Sequence, residues 1–200
     1  MPQFDLRYIK AAKYVNTDGT ITYTNPTKVG DAMTANLEMR FAEGRLYAES
    51  TLAEYIRKAT GGTISLGVKY ILQAAQQMMF GSRAKQRSVT YTPTGASEAT
   101  TANVSGLVQG AKTNSAYVGV AFYAPDMVDG VEKYTCVFAH KSLFGPPSMT
   151  LQTAGDTIVF NTPTTSGEFL ADDSATQDML EVAICDDEAA AIAWVDAVLQ

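Results

Sequence analysis

The sequence predicts a β-rich α+β fold, a β-sandwich or barrel with one internal helix and one C-terminal helix. Three observations predict it. Most of the chain is built from short runs in which apolar and polar residues alternate, the period of a half-buried strand, bounded by Gly, Asn, Asp or Pro turn signals. Only Tyr70–Phe80 and Asp186–Leu199 switch to helical spacing. With 200 residues, 46% of them hydrophobic, the chain suffices for a single domain (1–200) with a sizeable core.

Phe4, Leu6, Tyr8 and Ile9 read as an extended N-terminal segment, and Asp18-Gly19 as a turn before the β-branched and aromatic run Thr20–Thr24. Asn25-Pro26 is expected to break that run. Ala32–Ala42 places Met33, Ala35, Leu37, Met39 and Phe41 on one face and Asn36, Glu38 and Arg40 on the other, the pattern of a half-buried strand. Glu43-Gly44 is expected to turn the chain into a strand at Arg45–Glu49. After Gly61-Gly62, Ile64, Leu66 and Val68 alternate with Thr63, Ser65 and Gly67. In Tyr70–Phe80, Ile71, Ala75, Met78 and Met79 fall at helical spacing, read as core packing, and Gly81 sits where a helix stops. Val89–Tyr91 is a short strand. Thr92–Ser115, mostly Thr, Ser, Ala, Gly and Asn, reads as a long surface loop with one short strand at Val104–Val108.

The remaining third is the best specified. Tyr117–Tyr123 sets Val118, Val120 and Phe122 against Tyr117 and Tyr123. Asp129-Gly130 is a hairpin signal, and Lys133–His140 sets Tyr134, Cys136 and Phe138 against Val137 and Ala139. Short strands are expected at Ser148–Thr153, Thr157–Asn161 (Ile158 and Phe160 on one face), Glu168–Ala171 and Met179–Ile184. The helix Asp186–Leu199 has Asp186 or Asp187 as cap and Glu188 in its first turn, where the helix dipole favours an acid. Ala191, Val195 and Val198 form its stripe, with Ile192, Trp194 and Leu199 beside it.

The chemistry-bearing residues point away from an enzyme. The one histidine, His140, stands in strand alternation, where a structural role is the ordinary one. No GxSxG elbow, GxxxxGK[ST] loop or GxGxxG turn is present. Asp172-Asp173 and Asp186-Asp187-Glu188 lack the order of a calcium loop. No catalytic residue, cofactor or metal is therefore expected. Cys136 and Cys185, without Cys or His company, read as small buried hydrophobes in a reducing compartment, with a disulfide between them as the alternative. No apolar run could span a membrane, and the first residues, MPQFDLRYIK, lack the apolar stretch of a signal peptide.

Net charge is −6, unevenly spread: the last base is Lys141, and ten acids follow it, while the first 141 residues carry fifteen bases against eleven acids. Either the acidic part is a solvated face, or it docks on the basic part of another copy. Arg83, Lys85 and Arg87, spaced by two, form a small basic cluster, either a solvated strand face or a site for an anionic partner.

Six segments, in order and with matching spacing, resemble the major tail proteins of long-tailed phages, the tail-tube subunits common among phages of Gram-positive bacteria. AYVGVAFYAP and DGVEKYTCVFAHKSLFGPPSMTLQT resemble the family's glycine-aromatic strand, its turn and the strand that bends away. DTIVFNTPTTSGEF resembles its strand, Thr-Pro and small-residue segment, and DDEAAAIAWVDAVL its closing acidic helix. Upstream, GRLYAESTLAEY and GGTISLGV resemble an acidic strand and a Gly-Thr-hydrophobic strand. The likeness covers most of Ala32–Leu199; Lys69-Tyr70 departs from it where members carry acids before the first helix. The resemblance implies a tail-tube-type sandwich or barrel that closes into hexameric rings. The rings stack into a hollow tube, in the virion tail, through which double-stranded DNA passes without sequence-specific binding. Assembly would take place in the host cytoplasm. Implied partners are further copies of the chain and the tape-measure, tail-terminator and baseplate proteins. A related ring on the same fold (tail terminator, baseplate ring or contractile-injection tube) and a small-ligand-binding β-barrel are the alternatives. A lumen that lets DNA slide should repel phosphate, which makes Glu38, Glu43, Glu49 and Glu54 the lumen-facing candidates. Arg40 and Arg45 lie among them, for a local net charge of −2. Met1–Tyr14, as an N-terminal arm, and Thr92–Ser115 are the expected ring-to-ring contacts.

Overall fold

Alternation, turns and caps produce ten strands and two helices, in a computed structural model that describes residues 5–49, 51–128, 130–153 and 160–200. In chain order they are β1 (Arg7–Thr17), β2 (Thr20–Lys28), β3 (Ala32–Ala48), β4 (Thr51–Val68), α1 (Gln73–Phe80), β5 (Arg83–Tyr91), β6 (Thr100–Val108), β7 (Tyr117–Val128), β8 (Val131–Phe144), β9 (Thr164–Leu170), β10 (Leu180–Cys185) and α2 (Glu188–Ala197). The main sheet runs β2-β1-β7-β8-β9-β4-β3, with β10 also on β8; β5 and β6 form a separate two-stranded sheet. Every pairing is antiparallel. β8 serves two neighbours along one edge: Tyr134–Ala139 pairs with β10, and Lys141–Phe144 with β9.

The sheet is cored on both faces. On one, Ile9 and Ala11 of β1, Ile64, Leu66 and Val68 of β4, Val118, Val120 and Phe122 of β7, and Phe169 of β9 enclose Ala75, Met79 and Phe80 of α1. Ala35 and Leu37 of β3 pack there too. β1 and β3 lie near opposite ends of the strand order, so the sheet folds back on itself around this core. On the other face, Ala121, Tyr123, Cys136 and Phe138 meet Ala191 and Val195 of α2 and Leu199 just beyond it. Each of these larger side chains contributes about 1.5–3 kcal/mol on full burial. The alternation expected in β7 and β8 is thus realised, with each residue set feeding its own core.

Both helices end as their sequences dictate. Gly81 adopts the left-handed conformation (φ 65°) that closes α1, with its N–H on the Gln76 carbonyl. Asp187 accepts a 2.7 Å hydrogen bond from the Ala189 N–H at the start of α2. At Gly62 an added Cβ would overlap the Phe169 ring, which explains the small residue where β4 enters the core.

Several expectations are corrected. Asn25-Pro26 does not end its strand; β2 continues to Lys28 through an irregularity at Asn25 (φ 57°), tolerated because β2 is a sheet edge. Glu43-Gly44 is no turn, for β3 runs unbroken to Ala48. β3 is half-buried only as far as Leu37; Met39 and Phe41 keep the alternation but are exposed, because among the described residues no element covers that face. Arg7–Tyr14 is not a free arm: β1 lies between β2 and β7 with Ile9, Ala11, Ala12 and Tyr14 buried. Met1–Phe4 lie outside the described residues. The strand expected at Val104–Val108 within Thr92–Ser115 is present but begins at Thr100, pairing along its whole length with Arg83–Tyr91, so the loop is shorter than expected. Ser148–Thr153 contributes a single bridge, Ser148 to Thr164. Of the strand expected at Thr157–Asn161, residues 157–159 and Ile158 among them lie outside the described residues, as does Asp129 of the hairpin signal.

Candidate assembly surface

Two ribbons leave the double core. Beyond Gly61-Gly62, β4 loses its pairing with β9, and Phe41–Ala48 and Thr51–Ala59 pair only with each other. Eight residues of strand extend about 25 Å. Six large apolar side chains on the ribbon are exposed, Phe41, Leu46, Tyr47, Leu52, Tyr55 and Ile56, and Met39 at its base is exposed too. A two-stranded ribbon is marginal in water without a partner. What supports it locally is a ladder of charges and rings. The Arg57 guanidinium lies 3.8 Å from the Phe41 ring centroid, Arg45 lies 5.5 Å from that of Tyr55, and Glu43 sits 3.5–3.6 Å from both guanidinium groups.

Glu43 and Glu54 lie on this ribbon and Glu49 at its outer end, while Glu38 lies at its base opposite Thr63, which also pairs with Glu168 of β9; the four do not share one face. In β3, Glu38 shares a face with Arg40 and Leu46, and Glu43 points to the other. The register pairs Leu46 with Glu54, which puts Glu54 on the Glu38 face. Glu49 follows the end of β3 with φ 48°. The partner strand brings Arg57 and Lys58, so residues 36–60 carry four acids and four bases. The ribbon is amphipathic and neutral, not an acidic wall. Arg40 pairs with Glu168 of β9 at 2.7 Å.

The β5–β6 ribbon is the second projection. Every residue of β5 is exposed. The register Arg83–Val108, Lys85–Gly106, Arg87–Val104, Val89–Ala102 and Tyr91–Thr100 puts three bases and several apolar groups on one face. The equal runs flanking Pro93-Thr-Gly95 were the available signal for this hairpin.

The acidic C-terminal part meets the basic part of its own chain. Glu188 pairs with Arg7, Asp196 with Lys10, Asp186 with Lys133 and Asp173 with Lys141, all at 2.6–2.7 Å. Lys141, then Asn16 and Tyr14, hold the Asp173 carboxyl down at about 2. Lys133 lowers Asp186, and Tyr123 and Arg7 lower Glu188. The intermolecular docking open from the charge count is therefore met, for these groups, within one copy.

His140 stacks against Phe138 (centroids 4.4 Å), with Nδ1 3.5 Å from Asp172 Oδ2 and Nε2 3.9 Å from Glu181. Asp172 Oδ1 is fixed by the N–H groups of Ser174 and Asp178. Among the described residues no hydroxyl or thiol is hydrogen-bonded to the His140 ring. Cys136 and Cys185, distant in sequence, face each other on β8 and β10 with sulfurs 3.8 Å apart. Burial, then the Cys185 contact, pushes the Cys136 thiol up to about 12. No group of three or more His, Cys, Asp or Glu able to hold a metal ion occurs among the described residues. No helix among them is long and apolar enough to cross a membrane.

No protein-family model matches the sequence, and no curated protein matches it.

Proposed function

We propose that this chain is a structural subunit that assembles with copies of itself into stacked rings, the major tail protein of a phage tail tube. The observation that carries the reading is the β3–β4 ribbon: six exposed large apolar side chains on a neutral hairpin that, among the described residues, has no strand beside it beyond Gly61. Such a surface is costly to leave in water and is the composition of a surface that another chain covers. β2 and β3, the two ends of the sheet, offer open edges for strands of a neighbour. The ordered resemblance of Ala32–Leu199 to tail-tube subunits supplies the class of assembly. The partners are other copies, with double-stranded DNA passing through the lumen, and the location is the virion tail. The chain acts by shape and not by catalysis.

Negative-stain microscopy of the purified protein tests this. Long hollow tubes are expected. Isolated rings that never stack would assign a terminator or baseplate ring instead, and featureless monomers at high concentration would overturn both.

A further inference from the structure

Unpaired charges gather on the two ribbons that leave the body. Among the described residues, Arg83, Lys85 and Arg87 make no ion pair, and neither do Glu49 and Glu54 at the outer end of the β3–β4 ribbon. Two of the unpaired bases, Lys85 and Arg87, rim a hollow of about 240 Å³ on the β5–β6 ribbon, lined also by Val89, Val104, Gly106, Leu107 and Val108. Gly106 stands opposite Lys85 and, having no side chain, keeps the hollow open. The unmatched acids flank an apolar tip: Leu46, Tyr47 and Leu52 are 53–60% exposed. One ribbon thus presents an acid-flanked apolar knob and the other a base-rimmed apolar hollow.

We propose that the outer end of the β3–β4 ribbon of one copy docks in the β5–β6 hollow of the next, with Glu49 and Glu54 against Lys85 and Arg87. The contact joins two different patches, so it is heterologous and repeats from copy to copy. It rests on the self-assembly reading and names the surfaces that reading requires. Its charged rim makes assembly sensitive to salt, because exposed pairs are screened, while the apolar knob supplies the burial.

A charge-swap experiment tests it. K85E/R87E has an acidic hollow facing an acidic knob; E49K/E54K has a basic hollow facing a basic knob. Each alone is expected to lose assembly by sedimentation and negative stain, with an unchanged circular dichroism melt. Mixed one to one they are expected to co-assemble, since each then meets its complement. The combined four-substitution chain is expected to assemble alone. Should a reversed variant fail to fold, K85Q/R87Q is expected to fold and to weaken assembly at least tenfold. Assembly that survives either reversal, or a mixture that stays dissociated, overturns the docking and leaves the self-assembly reading standing. A wild-type chain that stays monomeric overturns both. Loss of binding to a double-stranded DNA fragment in K85E/R87E, with assembly intact, overturns it in favour of a polyanion on the basic face.

Discussion

The molecule has two long antiparallel hairpins, β7–β8 and β3–β4, written in the same alternating code and placed in opposite circumstances. β7–β8 has β1 on one side, β9 and β10 on the other, a helix-filled core on one face and α2 on the other. Val118 to Tyr123 are buried without a gap. β3–β4 is covered only at its base, and its outer half keeps Phe41, Tyr47 and Ile56 exposed. Alternation therefore specifies which residues share a face, and neighbours decide whether that face is covered. The covered hairpin is held by its own cores, while the uncovered one leaves its apolar surface for a partner.

The comparison can be broken or sharpened by substitution. The largest effect is expected at Phe169, fully buried against Gly62 where the ribbon meets the body. Phe169→Ala should cost about 3–5 kcal/mol in chemical denaturation. A loss no larger than that of a surface substitution would mean that the core does not anchor the ribbon. Next is the cap of α2: Asp187→Ala removes the bond to the Ala189 N–H and should cost about 1 kcal/mol, with exchange of α2 amides rising before those of β7.

Acid should act on the body through its peripheral ion pairs. Asp173, Asp186 and Glu188 have their pKa values lowered in the folded chain, so they contribute stability above the ordinary carboxylate range. That contribution is lost as pH falls from about 4 toward 2, the unfolded chain taking up protons first. Urea midpoints should fall over that window, and Asp173→Asn should flatten the fall; an unchanged slope would show that the Lys141 pair contributes nothing. The smallest effect on folding is expected at the ribbon: Leu46→Ser with Ile56→Ser should shift stability by no more than about 0.5 kcal/mol while abolishing assembly. A large loss of stability there would erase the distinction between the two hairpins.

Local chemistry was legible wherever one element settles its own conformation. The period of α2 and its cap at Asp186 or Asp187, the Gly81 stop of α1 and the two faces of β7 and β8 are visible in the residues. In Thr92–Ser115 only the Val104–Val108 half of β6 was legible; Thr100–Asn103 has no apolar face to announce it, and only pairing with Arg83–Tyr91 makes it β. The acidic candidates show the same boundary at finer grain. Thr60 is the extra residue between the Arg40–Gly61 and Phe41–Ala59 pairs, and it shifts everything beyond it by one position. That shift turns Glu54 onto the face of Glu38 and away from Glu43.

By itself the sequence determined the β-rich class, the two helices, the alternation of the central strands and the segregation of charge. Those features follow from interactions within a few residues, where side-chain period and backbone preference act directly. Tertiary structure alone decided that the acids after Lys141 meet Arg7, Lys10, Lys133 and Lys141 of the same chain. It alone set the Cys136 and Cys185 sulfurs 3.8 Å apart and left one hairpin covered and the other bare. Each of these depends on which distant strands become neighbours and in what register, and a single bulged residue suffices to change the outcome.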